Sequence, residues 1–143
     1  VHATSDKNMA EKRVGAERIK GAYAWRKFLD SGVVIPNGTD APVEMVNPFH
    51  VLFASVTRQS RDGKPVGGWY PAEKMTRAEA LKSYTIWAAY AGFEENLKGS
   101  ISAGKLADFI VIDRDYMKCP EREIKDIKVL QTILGGEVVF SNK

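Results

Sequence analysis

Asp40 has the sequence context of a residue that could do chemistry. It lies in the segment IPNGTDAPV (residues 35–43), at the end of an apolar, β-branched run at residues 33–35. A carboxylate at the end of a buried strand could accept a proton from water or bind a divalent metal. The segment is also typical of a turn, in which the carboxylate would cap a backbone amide. The residues by themselves leave both interpretations of Asp40 open.

Two histidines, His2 and His50, are the other candidates for metal or substrate chemistry. They lie far apart and form no His-x-His pair. Because a zinc centre needs three or four ligands close together, neither histidine is predicted to be a zinc ligand. His50 lies in the first turn of an expected helix and is predicted to face solvent. His2 is either a surface or hydrogen-bonded residue or a substrate contact at the end of a strand.

A polar, glycine-rich loop at residues 59–71 carries a second possible substrate contact, Trp69. Long loops often cover active sites, so Trp69 could line a substrate pocket. Equally, Trp69 and Tyr70 could hold this loop against the helix that is expected to start at Thr76.

The elements that must position these residues begin with an α/β part. Residues 2–6 are interpreted as a strand end or loop, and residues 17–29 have the spacing of a helix with one broad apolar face. Residues 33–35 are typical of a strand buried in a parallel sheet. Pro48 is expected to open a helix. A further helix, to about residue 90, should start at a capping box formed by Thr76 and Glu79.

Beyond residue 98 the pattern changes to that of a small β part. Residues 107–113 are predicted to form one strand, and residues 129–134 should pair with residues 137–140 in a hairpin that turns at Gly135 and Gly136. The chain therefore divides into residues 1–98 and 99–143. Two buried parallel strands cannot satisfy each other's edges, so the α/β part is expected to belong to a larger sheet.

The composition excludes several classes of protein. The 143 residues are 44% hydrophobic and 27% charged, and 21 basic against 18 acidic side chains leave a net charge of +3. This mixed charge gives no strong attraction for nucleic acid, and the basic stretch at residues 7–20 is predicted to be a solvated helical face. One cysteine excludes an internal disulfide. No apolar run reaches membrane-spanning length and no leader is evident, so the cytoplasm is the expected compartment.

Several segments, read together, resemble the C-terminal portion of the amidohydrolase superfamily. The likeness is closest to the amidohydrolase-3-type branch, which includes proteins similar to N-substituted formamide deformylase. It covers nearly the whole chain, and the matching segments occur in the expected order: HATSD (2–6), GAYAWR (21–26), NGTDAPV (37–43), GWYP (68–71), YTIWAAY (84–90) and KGSISAGKLADFIVID (98–113). The family more often has serine where this chain has Thr39, which keeps the hydroxyl.

The resemblance implies a fold and a division of the chain. Members have a (β/α)₈ TIM barrel with a small β-sandwich assembled from both chain ends. His2 would end the seventh barrel strand and Asp40 the eighth, so residues 1–98 would be the last part of the barrel and residues 99–143 the C-terminal share of the sandwich. A complete barrel needs about 250 residues, so this α/β chain is interpreted as a fragment.

The resemblance also implies the chemistry. In the family a divalent metal, most often zinc, activates water for hydrolysis of non-peptide C–N bonds in amides, formamides or cyclic amides. Asp40 would be the general base and a carboxylate close to the metal. His2 could reach the substrate from the end of the seventh strand, and Trp69 could line the substrate pocket from its loop. The family's histidine ligands come from earlier strands that are not in this sequence. The chain alone is therefore expected to bind no catalytic metal, to be inactive, and to self-associate through exposed strand edges.

The alternative hypothesis is a stand-alone, non-catalytic binding or interaction module derived from the barrel, with the β part as its contact surface. An open reading frame that begins a little before Val1 would favour the module. Several hundred upstream residues with a His-x-His pair would favour the hydrolase. Under the hydrolase hypothesis the partner is a small-molecule substrate, with no nucleic acid or membrane involved.

Overall fold

The computed structural model describes residues 1–142, in which six α-helices precede a three-stranded sheet. Short 3₁₀ turns at Ile19–Gly21, Pro71–Glu73 and Glu121–Asp126 connect some of these elements. The helices are α1 (His2–Ser5), α2 (Lys7–Arg18), α3 (Trp25–Asp30), α4 (Pro48–Thr57), α5 (Arg77–Tyr84) and α6 (Ile86–Ala91).

The sheet confirms the strands that were predicted for the β part. Its order is β1 (Phe109–Ile112), β2 (Val129–Leu134) and β3 (Glu137–Ser141), and both pairings are antiparallel. Gly135 and Gly136 have φ angles of 58° and 88° at the tip of the β2–β3 hairpin. Since most residues avoid positive φ, this turn requires glycine or a residue such as asparagine.

Helix α4 is the centre of the main hydrophobic core. Pro48 occupies its first turn, and the side chain of Asn47 accepts a hydrogen bond from the Phe49 amide, so the predicted start is confirmed. Phe53 is 1% exposed, and burial of such a side chain contributes about 1.5 to 3 kcal/mol. The other buried members of this core are Phe49, Leu52, Val56, Met75, Ala80, Tyr116, Ile124 and Ile127.

The predictions for the first thirty residues were wrong in two places. Residues 2–6 are helical rather than extended, with the Asp6 amide donating to the His2 carbonyl. The expected helix at residues 17–29 is broken, because α2 ends at Arg18 and α3 begins only at Trp25. Tyr23, between them, has a φ of +51°, which a right-handed helix cannot contain. In the basic stretch at residues 7–20, Lys12, Arg13, Arg18 and Lys20 are exposed as predicted, whereas Lys7 is half-buried and donates to the Ser60 hydroxyl.

The predicted strand at residues 33–35 does not form. This run is irregular, and Val33 is 53% exposed. A parallel strand needs neighbours that satisfy its backbone groups, and among residues 1–142 no strand pairs with this run. The barrel strand that the resemblance places here is therefore absent from the described structure.

The capping box is confirmed, but the helix after it is shorter than predicted. The Thr76 hydroxyl accepts from the Glu79 amide, and the Glu79 carboxylate accepts from the Thr76 amide. Helix α5 ends at Tyr84, and α6 starts after Thr85, whose φ and ψ are −127° and −98°. The Thr85 hydroxyl donates to the Leu81 carbonyl at 2.7 Å, a bond that competes with the helical ladder and favours a bend.

Glu79 also gives the fold a measurable pH dependence. The Arg26 guanidinium donates to both of its carboxylate oxygens. That interaction, helped by bonds from Thr76, lowers the pKa of the Glu79 carboxyl to about 2. Because the folded pKa is depressed, this stabilisation is present above about pH 4.5 and is lost as the pH falls towards 2.

We expect Glu79→Gln to lower the free energy of unfolding at pH 7 by about 2 kcal/mol, allowing for partial solvent screening. The difference from the parent should shrink towards pH 2, where the parent loses the same charge. Urea unfolding at a series of pH values measures both effects. Glu17→Gln is the control, because Glu17 is 87% exposed in its pair with Lys20 and its loss should change little. A deficit that stays constant down to pH 2 would contradict the assigned cause.

Candidate active site

Asp40 lies in a tight turn and is exposed to solvent. Its φ is +52°, a left-handed conformation that aspartate tolerates better than most residues. Its carbonyl oxygen accepts from the Val43 amide at 2.8 Å. The Thr39 hydroxyl, rather than the Asp40 carboxylate, accepts from the Ala41 amide at 3.3 Å. The expected turn is therefore present, and its backbone bonds leave the carboxylate open to solvent.

The histidines are half-buried and are not part of this turn. His2 lies in α1, and its Nε2 atom is enclosed without a hydrogen-bond partner among the described residues. His50 was predicted to face solvent, and this prediction was wrong. It is half-buried in α4, and burial, with the positive charges of Arg61 and Lys125 nearby, lowers the pKa of its imidazole. These surroundings favour the neutral form of the His50 imidazole at physiological pH.

Trp69 packs inside the structure at the end of the glycine-rich loop. It is 8% exposed and belongs to a small cluster with Ala3 and Ile19. Its indole N–H donates to the Glu11 carboxylate at 2.7 Å, and its ring meets that of Tyr23 edge to face at 5.8 Å. These contacts join the loop to α2 and to the segment that follows it, rather than to the helix that starts at Thr76.

Sequence reasoning missed the most deeply buried charge of this region, Arg58. The residue caps α4 in a left-handed conformation and is 0% exposed. Its guanidinium lies between two tryptophan rings, 4.4 Å from the centre of Trp25 and 5.0 Å from that of Trp69. Nε donates to the Trp69 carbonyl and Nη1 to the Tyr23 carbonyl. Burial lowers the pKa of Arg58 to about 10, so it remains charged at neutral pH.

Gly68 allows the loop to approach α4 closely. A Cβ atom placed on Gly68 would lie 2.2 Å from the Thr57 carbonyl oxygen and 3.1 Å from the Arg58 Cβ, at a φ of +97°. Since neither backbone can yield easily, the loop would have to move away from α4. Gly67 has a similar φ of +82°, but nothing lies within 4 Å of its added Cβ.

We therefore expect Gly68→Ala to lower the free energy of unfolding by about 3 kcal/mol, from the clash and the strained φ together. Gly67→Ala is a matched control with the φ strain alone, which costs about 1 kcal/mol. Urea denaturation of the two variants and the parent measures the difference. Equal losses for the two glycines would show that the close approach to Thr57 is not what requires Gly68.

The metal donors of the chain do not form a complete centre by themselves. Among residues 1–142, no group of three or more His, Cys, Asp or Glu side chains could hold a metal ion. A catalytic zinc takes about three protein ligands. The exposed carboxylate of Asp40 could supply one ligand, and the others would have to come from outside this chain.

A groove of about 860 Å³ lies elsewhere on the molecule. Residues of α5, α6 and β1 line it, and none of Asp40, His2 and Trp69 does. The structure therefore does not gather the three predicted site residues around this groove. Trp69 packs in one cluster with Ala3, the residue that follows His2 in the sequence. Asp40 lies apart from them, exposed in its own turn.

Comparison with known proteins decides the family. A family model described as "Amidohydrolase family" matches residues 1–140. The chain belongs to the amidohydrolase family. The match includes the Asp40 turn, Arg58 and all of the sheet except Ser141, the last residue of β3, so the helical part and the β part both lie within the family's sequence pattern.

Three individual proteins are similar to this chain over most of its length. The N-substituted formamide deformylase of Arthrobacter pascens is 36% identical over 111 residues, which are 78% of this chain and 20% of that protein. The protein LONG AFTER FAR-RED 3 of Arabidopsis thaliana is 31% identical over 140 residues, 97% of this chain and 24% of that protein. YtcJ of Bacillus subtilis, whose name assigns it provisionally to the amidohydrolases, is 29% identical over 128 residues, 90% of this chain and 24% of that protein.

The chain spans between 20% and 24% of the length of these relatives. Most of each relative therefore lies outside the matched segment. In the part of this chain that the structure describes, no helix is long and apolar enough to cross a membrane.

Proposed function

We propose that this chain is the C-terminal part of a metal-dependent hydrolase that acts on non-peptide C–N bonds, with Asp40 as its general base. The observation that carries the proposal is the exposed Asp40 carboxylate, held in a tight turn of a chain that matches the amidohydrolase family over residues 1–140. Amides, formamides and cyclic amides are the proposed substrates, and the name of the Arthrobacter relative, an N-substituted formamide deformylase, favours formamides among them. In this proposal residues 1–98 complete a TIM barrel, and residues 99–143 form part of a β-sandwich.

The proposed chemistry needs a proton acceptor that later becomes a proton donor. Asp40 takes a proton from the attacking water as the oxygen adds to the carbonyl carbon of the substrate. When the C–N bond breaks, the same carboxyl returns the proton to the leaving nitrogen. The products are a carboxylic acid and an amine, so atoms and charge balance. His2 and Trp69, both at least half-buried in this chain, are proposed to contact the substrate in the complete enzyme.

The complete enzyme is proposed to use a divalent metal, zinc in the first assay, with Asp40 among its ligands. The test is to purify the longer protein that contains this segment and to measure its metal content by mass spectrometry. Hydrolysis of an N-substituted formamide, a linear amide, a cyclic amide and a carboxylic ester is then compared. We expect turnover of at least one C–N substrate, loss of that turnover after chelation, and its return with zinc. A metal-loaded protein that cleaves only the ester, or nothing, would overturn the proposal.

The isolated 143-residue chain is proposed to be inactive, to hold less than one metal per chain, and to self-associate. Every residue of β3 is exposed, including Val139 at 59% and Phe140 at 48%. Exposed apolar edge strands are templates for pairing with another chain.

We expect light scattering after size-exclusion chromatography to show a mass that rises with concentration. Val139→Lys should shift the chain towards monomer, because a charge on an edge strand opposes pairing. Val66→Lys is the matched control, since Val66 is 93% exposed but lies in the glycine-rich loop. A parent chain that stays monomeric at all concentrations, or an equal response to both substitutions, would contradict pairing through β3.

A further inference from the structure

Asn37, three residues before Asp40, connects the Asp40 turn to two helices at once. Its backbone amide donates to the Ser83 carbonyl of α5 at 2.9 Å. Its side-chain amide donates to the Ser55 hydroxyl of α4 at 3.1 Å. Ser55 and Ser83 are both 0% exposed, so water cannot readily replace either bond. Asn37 is thus the point at which the turn is attached to the core.

Hydrogen bonds within the turn fix the backbone between Asn37 and Asp40. The side-chain oxygen of Asn37 accepts from the Gly38 amide at 2.9 Å. Thr39 is 9% exposed, and its hydroxyl accepts from the Ala41 amide. The backbone on both sides of Asp40 is therefore fixed, while the Asp40 carboxylate itself stays exposed. Fixed backbone with a free carboxylate is what a proton-transfer group requires.

The anchor in α4 is itself rigid. Ser55 lies in the buried last turn of α4, and its carbonyl accepts from the Met75 amide at 2.9 Å. Its neighbours Ala54 and Val56 are buried as well. A side chain held on a packed helix defines a position more narrowly than one held on a loop.

We propose that Asn37, acting through Ser55, is a positioning residue for Asp40. The proposal rests on the function proposed above, in which Asp40 is the general base. Loss of the bond between Asn37 and Ser55 would let the turn move relative to α4, and a displacement of about 1 Å at a reacting group can cost about 100-fold in rate. Substrate binding would change much less, because Asn37 does not contact substrate in this scheme.

The test uses the full-length protein that contains this segment, with Asn37→Ala, Ser55→Ala and the double variant. We expect kcat to fall about 10- to 100-fold with KM within about threefold of the parent. Because both single variants remove the same bond, the double variant should fall little further than either one. Ser55→Ala is the milder change and keeps the test open if Asn37→Ala folds poorly.

Thr76→Ala is the control for a purely structural effect. It removes the cap of α5 and should reduce stability, but it does not touch the bond between Asn37 and Ser55. Hydrogen exchange followed by mass spectrometry gives a second readout. Uptake in a peptide covering residues 36–43 should rise in both Asn37→Ala and Ser55→Ala, and should stay at the parent level in Thr76→Ala.

The positioning role is overturned if Asp40→Asn abolishes hydrolysis while Asn37→Ala and Ser55→Ala keep the parent kcat. It is also overturned if Thr76→Ala lowers kcat as much as they do, since that would indicate general destabilisation. If Asp40→Asn itself leaves hydrolysis unchanged, the proposed base is wrong, and the positioning role falls with it. The Asp40 variant therefore separates failure of the proposed function from failure of this inference.

Discussion

Replacing Asp40 by asparagine is expected to lower kcat of the full-length hydrolase about 1,000-fold, with KM changed much less. An amide of nearly the same size cannot accept a proton at neutral pH, and loss of a general base costs about 100- to 10,000-fold. Asparagine also tolerates the φ of +52° at this position, so the turn should keep its shape. Steady-state kinetics on the best C–N substrate, with hydrogen exchange over residues 36–43, measures both points.

Asp62→Asn is the matched control for the Asp40 substitution. Asp62 is also an exposed loop aspartate, and its carboxylate accepts from the Lys64 amide at 3.0 Å. Asparagine keeps an oxygen for that bond, so kcat should stay within about twofold of the parent. If Asp40→Asn kept more than a tenth of the parent kcat, the general base would have to be another residue.

Short-range physics explains which elements could be predicted from the sequence. The capping box of Thr76 and Glu79 forms because both partners lie within one helical turn. The hairpin at Gly135 and Gly136 forms because the turn geometry needs positive φ at both positions. In each case the deciding contact lies within a few residues, so a local pattern is enough.

The two elements that were predicted wrongly depend on contacts that are distant in sequence or on a backbone angle that apolar spacing does not determine. The run at residues 33–35 has the composition of a buried strand, but its conformation depends on neighbouring strands, and none pairs with it among residues 1–142. The helix expected at residues 17–29 has suitable apolar spacing, yet the positive φ of Tyr23 interrupts it. The φ angle of Tyr23 cannot be predicted from the spacing of apolar residues.

The candidate site likewise has one part that the local sequence predicts and one part that it does not. The Asp40 turn could be predicted, since Gly38, Thr39 and Pro42 are turn residues. The buried position of Arg58 could not, because it depends on Trp25 and Trp69, which are distant in sequence. One local signal was available: Arg58 follows directly after a mainly apolar helix, where a basic residue interacts favourably with the negative end of the helix dipole.

Arg58→Ala is expected to be the most destabilising single substitution in the region around the glycine-rich loop. It would leave the carbonyls of Trp69 and Tyr23 without their donors, at about 1 kcal/mol or more each. It would also remove contacts with two tryptophan rings and leave a cavity, worth a further few kcal/mol. Relief of the cost of burying the charge, evident in the lowered pKa of Arg58, offsets part of this sum. We expect a net loss of about 3 to 4 kcal/mol in the free energy of unfolding.

Urea unfolding of the 143-residue chain measures this loss, in a Val139→Lys background if self-association interferes. Arg61→Ala is the control, because Arg61 is exposed and its removal should change stability by no more than about 0.5 kcal/mol. Arg58→Met separates the two opposing terms, since methionine fills most of the volume without a charge or a donor. If Arg58→Met is as stable as the parent, desolvation of the guanidinium cancels its hydrogen bonds, and packing alone explains the alanine result. If Arg58→Met is nearly as unstable as Arg58→Ala, the bonds to the two carbonyls hold the loop on α4.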